Sequence, residues 1–279
     1  MLIRAGYEIH FEAETPAAML AILSIHPSRN RDLATPHRIM AEPDVPMYNY
    51  VDSYGNVCTR LTVPVGGVVL SADFVIEDDG NPDVRAPDGP QMPVEAIPDD
   101  VLVYLLGSRY CETDRLMQVA WSEVGHLMSA RDRVEALVTF ANRHISFGYE
   151  HARPDKTAWD AYQERVGVCR DFAHLAITLC RCVNIPARYC TGYLGDIGIA
   201  AVDAPMDFSA WMEVYIDGDW YTYDARHDTP RIGRILMARG RDATDTALTT
   251  GFGPAILKSF FVRAEEVESI TQEVAPFGN

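Results

Sequence analysis

The stretch Gly167-Val168-Cys169-Arg170-Asp171-Phe172-Ala173-His174 constrains this chain most, because it sets a cysteine where a loop turns into a helix. From Phe172 onward the apolar side chains fall at Phe172, Leu175, Ala176, Leu179 and Val183. That spacing buries one face of a helix against a core, so a helix is predicted to begin near Cys169. A thiol placed there meets the positive end of the helix dipole and unpaired backbone N–H groups, which favour a thiolate and offer donors to an oxyanion. Free cysteine is also among the most buried residue types, so the surroundings decide between a chemical role and a packing role.

Downstream, Asn184-Ile185-Pro186 ends the helix and 187–194 reads as a strand. Strands near 210–217 and 219–224 flank Asp217-Gly218, a two-residue hairpin signal of the type I′ kind. The hairpin brings positions 209 and 224 to the same end of adjacent strands.

Upstream the pattern changes. Ile3, Ala5, Tyr7, Ile9 and Phe11 alternate with more polar neighbours, the period of a half-buried strand. Shorter strands are predicted around 18–25, 57–63 and 67–76, with turns at Gly55-Asn56 and Gly66-Gly67. Residues 77–98 carry Pro82, Pro87, Pro90, Pro93 and Pro98 and read as a linker or long surface loop. Helices follow. Asp99 and Asp100 precede the apolar run 101–106, Ser129 caps a helix with Val134, Leu137, Val138 and Ala141 on one face, and Thr157 caps a short helix to about Arg165. The expected fold class is α+β: an antiparallel β domain with its linker over 1–97, then a second domain over 98–279 in which a helix headed by cysteine packs on an antiparallel sheet.

Composition bounds the partners. The 24 basic and 40 acidic residues leave a net charge of −16, which repels a nucleic-acid backbone or an anionic membrane surface. No apolar run is long enough to span a membrane, and Arg4, Glu8, His10, Glu12 and Glu14 interrupt any signal-type segment, so a cytoplasmic location is expected. Cysteines 58, 111, 169, 180, 182 and 190 include no C-x-x-C, and Cys180 and Cys182 point roughly 200° apart on a helix. They are expected to stay thiols, with no metal site and no cofactor. Glu77-Asp78-Asp79 lacks the spacing of a calcium loop.

The runs GVCRDFAHLAITLCRCVNIPARYCTGYL and FSAWMEVYIDGDWYTYDARHD resemble the core of the bacterial transglutaminase-like cysteine protease superfamily. The stretch to about residue 100 resembles the β-rich domain that precedes that core in many members. The resemblance implies a papain-like, transglutaminase-like domain over 98–279, with Cys169 as nucleophile and Asp224 as the carboxylate. It also implies acyl transfer through a thioester on peptide or protein amides. The place of the family's histidine falls to Ser209, in Phe208-Ser209-Ala210-Trp211, and a serine hydroxyl is no general base near neutral pH.

His227, three residues beyond Asp224, is the substitute candidate. Read alone, Asp224 can also cap the turn through Arg226 and His227. His151, Trp211 and Ser209 are the expected substrate-binding residues. His174, about 140° around the helix from Cys169, is expected in the interior. The serine at 209 also supports a second reading, a catalytically impaired domain that binds a peptide or protein, and a third makes the β-rich domain an assembly module.

Overall fold

The computed structural model describes residues 1–201 and 205–272. The N-terminal part is built from β1 (Leu2–Ala13), β2 (Ala17–Ala21), β3 (Met40–Glu42), β4 (Tyr48–Val51), β5 (Val57–Val63) and β6 (Val68–Glu77). On β1 the odd positions Ile3, Ala5, Tyr7, Ile9, Phe11 and Ala13 are all buried, as the alternation requires. The short strands β3 and β4 were not legible in the sequence, and each is an edge strand.

Four helices and four strands make the middle of the chain. They are α1 (Thr113–Val124), α2 (Ala130–His144), β7 (Ser146–Phe147), α3 (Ala158–Glu164), β8 (Val166–Gly167), α4 (Cys169–Cys182), β9 (Ala187–Leu194) and β10 (Ser209–Ile216). The run 101–106 forms only a 3-10 turn, Leu102–Leu105, and α1 has no side-chain cap to announce it in the sequence. Ser129 caps α2 by accepting the Asp132 N–H, and Thr157 caps α3 in a reciprocal box with Asp160. Helix α4 is the central element. From Asp171 to Cys182 every residue is buried, between α1, α2 and α3 on one side and β9 and β10 on the other.

The sheet under α4 has the order β11-β10-β9-β12, adding β11 (Asp219–Tyr223) and β12 (Arg234–Gly240). Asp217 and Gly218 join β10 to β11 with φ of 51° and 90°, the left-handed conformations a type I′ turn needs. Ala210, Met212, Val214 and Ile216 face α4. On the opposite face Tyr193, Ile235 and Met237 join the core of the N-terminal strands, so the sheet serves two cores.

The chain then returns to where it started. β13 (Thr249–Phe252) pairs with β2, and β14 (Ala255–Val267) runs antiparallel to β1 from Leu2↔Val267 to Ala13↔Ala255. The two N-terminal sheets are therefore β14-β1-β6-β3 and β13-β2-β5-β4. The expected division at 97/98 does not separate the sheets, because residues 249–267 complete those of the first part. Hydrogen-bond pairing of distant strands leaves no local pattern from which that boundary could be read.

Candidate active site

Cys169 is the first residue of α4, as expected. What fixes it there is a side chain two residues on. Asp171 Oδ2 accepts the Val168 N–H at 2.9 Å and closes the helix entry. A Cβ on Gly167 would lie 2.6 Å from that oxygen, so the glycine of Gly-Val-Cys-Arg-Asp is required by the close approach of the carboxylate. Strand β7 pairs in parallel with β8, setting Phe147 beside Gly167.

The half-buried Cys169 receives the backbone N–H of Ala210, so the start of β10 lies against the thiol. Burial and the neighbouring charge of Asp207 push the thiol up to about 11, and the Arg226 guanidinium and the Ala210 N–H only partly oppose them. This corrects the thiolate expected from the helix terminus. The dipole favours the anion, but desolvation and a carboxylate work against it.

Asp224 follows β11 directly and is buried. Its Oδ1 accepts the backbone N–H groups of Arg226 at 3.0 Å and His227 at 3.1 Å. Its Oδ2 meets His227 Nδ1 at 2.9 Å and Arg234 Nη2 at 2.9 Å. The two roles open in the sequence are thus filled together, one oxygen capping the turn and the other holding the ring. Burial alone would raise this carboxyl. The His227 hydrogen bond and the Arg234 charge outweigh it and hold the group well below the usual carboxylate range. With Nδ1–H donated to Asp224, neutral His227 carries its lone pair on Nε2, and about a quarter of the side chain is exposed.

The expected substrate-binding residues are dispersed. Ser209 is buried, pairs with Gly192, and its carbonyl takes the Thr191 hydroxyl at 3.0 Å. Trp211 lies on the far face of β10 with Cys190 and Leu236, where it borders a cavity of about 580 Å³ also lined by Trp220, Arg234 and Arg239. His151 sits on the 3-10 turn Tyr149–His151, its Nε2 3.6 Å from Glu150 Oε1. His174 is interior, stacked on Tyr110 at 5.0 Å and accepting the Ala243 N–H.

Three residues near the thiol or the Asp224 network went unread in the sequence, and Arg226 is legible there only as part of the turn that Asp224 caps. Asp207 lies just ahead of β10 with its carboxyl pushed up by burial. Arg226 rests its guanidinium 3.9 Å from the centre of the Phe147 ring. Arg234 links Asp224 to Asp83, whose carboxylate it grips at 2.9 Å. Arg226 stands inside the quoted Tyr-Asp-Ala-Arg-His run; Asp83 lies in the proline-rich stretch, where nothing local points to it. Among the described residues no group of three or more His, Cys, Asp or Glu side chains is arranged to hold a metal ion. No helix among them is long and apolar enough to cross a membrane.

Comparison with known proteins agrees with this fold. Residues 119–225 match the family model of the transglutaminase-like superfamily. The structure superposes on that of a "putative cysteine protease" from Cytophaga hutchinsonii with a TM-score of 0.82 and 26% identity, over 100% of this chain and 94% of that one. An uncharacterized protein of Mycobacterium leprae is 26% identical over 230 residues, 80% of this chain and 82% of its own. One from Mycobacterium tuberculosis is 25% identical over 252 residues, 81% and 76% of the two chains. The segment that holds Cys169 and Asp224 is thus a transglutaminase-like domain by its family-model match. At the level of the family, the fold goes with cysteine protease or acyl transferase chemistry.

Proposed function

We propose that this protein is a cysteine-nucleophile amide hydrolase or acyl transferase that works through a thioester on peptide or protein amides. The observation that carries the reading is the Asp224–His227 pair at 2.9 Å, on the turn that follows β11, the edge strand of the sheet under the Cys169 helix. Cys169 Sγ attacks the carbonyl carbon, His227 Nε2 takes the thiol proton and returns it to the leaving amine, and Asp224 steadies the imidazolium. Water or an amine then releases the acyl group. The high resting position of the thiol suits general-base activation in the encounter complex better than a preformed ion pair. The cytoplasmic location belongs to the same reading, and it is supported by six cysteines that are all free thiols.

The test is to trap the acyl group. Incubation with an activated peptide ester should add the acyl mass to Cys169, and Cys169→Ala should abolish both adduct and amide turnover. Full amide turnover by that variant sinks the proposal.

One observation favours a second reading, an impaired domain that binds a peptide. Ser209 occupies the histidine's place in the motif, and its neighbour's N–H is the group that meets the thiol. On that reading the wild type turns over no amide and Ser209→His gains activity.

A further inference from the structure

Arg226 reaches the surroundings of the nucleophile by a path separate from the Asp224–His227 pair. Its backbone is held on both sides, the N–H by Asp224 Oδ1 at 3.0 Å and the carbonyl by Asn142 Nδ2 of α2 at 2.8 Å. That rigidity aims the side chain. The guanidinium lies over Phe147 at 3.9 Å, and the Phe147 ring is 6.4 Å from that of Phe172, on the first turn of α4. Phe147 packs edge-to-face on Tyr149 at 5.1 Å, and both rings are exposed, at 38% and 46%. Since Phe147 pairs with Gly167, two residues before Cys169, this aromatic step borders the entry to the thiol.

Among the described residues Arg226 forms no ion pair; the carboxyl of Asp207 lies close enough to feel its charge without pairing with it. Arg234, Arg188 and Arg153 nearby in the fold each hold a carboxylate. The half-buried guanidinium stacks on the Phe147 ring and meets the Tyr149 hydroxyl, and its remaining N–H groups keep the planar fork that can grip a carboxylate with two parallel hydrogen bonds. The acidic surface of the protein opposes anions in general, so a cation at this point selects one position of the substrate.

We propose that Arg226 is the specificity-determining residue of the Cys169 site and selects amides carrying a carboxylate next to the scissile carbonyl, either an acidic side chain or a terminal carboxylate. The selectivity for turnover rests on the thioester reading given above; the carboxylate site itself does not.

Two alkylating agents of similar size separate these claims. Iodoacetate carries a carboxylate and iodoacetamide does not, and each forms a C–S bond to Cys169 with loss of iodide. The ratio of their rate constants at Cys169, located by peptide mass, should fall about tenfold in Arg226→Gln, the scale of a partly screened charge pair. Arg226→Lys should keep most of it. The other cysteines are buried, so their labelling by iodoacetamide reports any unfolding. An unchanged ratio in Arg226→Gln overturns the proposal whatever the catalytic outcome.

Matched peptide anilides then identify the source, glutamate against glutamine for the side chain and free acid against amide for the terminus. Wild type should prefer the acidic member of at least one pair, and Arg226→Gln should lose that preference. A preference that persists without Arg226 also overturns it. Failure of the thioester reading is scored elsewhere, by Cys169→Ala.

Discussion

Asp224 and Arg234 are locked together, Oδ2 to Nη2 at 2.9 Å, with both side chains almost wholly out of solvent. A charged pair so buried fixes its members in place when every remaining donor and acceptor is used. Here the carboxylate uses its spare sites on the His227 ring and on two backbone N–H groups. Arg234 is gripped in turn by Asp83 through Nε, while its buried Nη1 has no hydrogen-bond partner among the described residues. The orientation of one imidazole thus depends on a residue well outside the helical half of the chain.

Removing that orientation should be costly. In Asp224→Asn the amide cannot hold both the His227 ring and the Arg234 cation, so kcat for amide cleavage should drop by about 100-fold or more with little change in KM. His227→Ala should give a loss of similar size. Steady-state kinetics on one peptide anilide checks both. A variant that changed KM alone would place these residues in binding instead of proton transfer.

The thiol itself makes a prediction in the free protein. With Cys169 held near about 11, its iodoacetamide rate should rise roughly tenfold per pH unit above neutrality, because only the thiolate reacts. Asp207→Asn removes a negative neighbour that favours the protonated form. The titration should move to lower pH and the neutral-pH rate should increase. A rate flat from about pH 6 upward would mean the thiolate is already formed.

How much of this was legible in the sequence follows from the range of the forces involved. Cys169 at a helix start, the Asp217-Gly218 hairpin and the Thr157 cap are each dictated within a few residues, and each stands where the sequence put it. The high thiol position was not legible, because it comes from Asp207 and from burial beneath β10, both supplied by tertiary packing. Helix α1 escaped because its N-terminal Glu112 makes no side-chain cap bond. The link from Asp83 to Arg234 joins positions 151 apart, and no periodicity connects them.

Two histidines should make the fold sensitive to mild acid. Burial is the main force lowering His26 and His37, each to about 4. In the unfolded chain both titrate near about 6.5, so between these limits the unfolded state binds more protons and stability falls as pH falls. The denaturant midpoint should therefore decline from about pH 7 to about pH 4, and a His26→Gln, His37→Gln variant should lose part of that slope, the rest being kept by His174, which burial also lowers.

Arg181 supplies a purely structural test. Its buried guanidinium donates to the carbonyls of Ala187, Leu106 and Arg241 and to the Ser108 hydroxyl. Arg181→Met keeps much of the volume but leaves those acceptors unpaired in the interior. Loss of about 3 kcal/mol or more in urea unfolding is expected.

The pairing of β14 with β1 has a consequence for synthesis. During synthesis β1 finds one neighbour, β6, once residue 77 is made, but its other edge stays open until residues 255–267 emerge. Until then the nascent chain exposes an unfilled sheet edge, the kind of surface that recruits chaperones or joins a second nascent chain. The closing contact spans almost the full sequence, so it is also the slowest to form by chance. Completion of the sheet around β1 is a late event, and a ribosome stalled before residue 255 holds a chain in which β1 still lacks a neighbour.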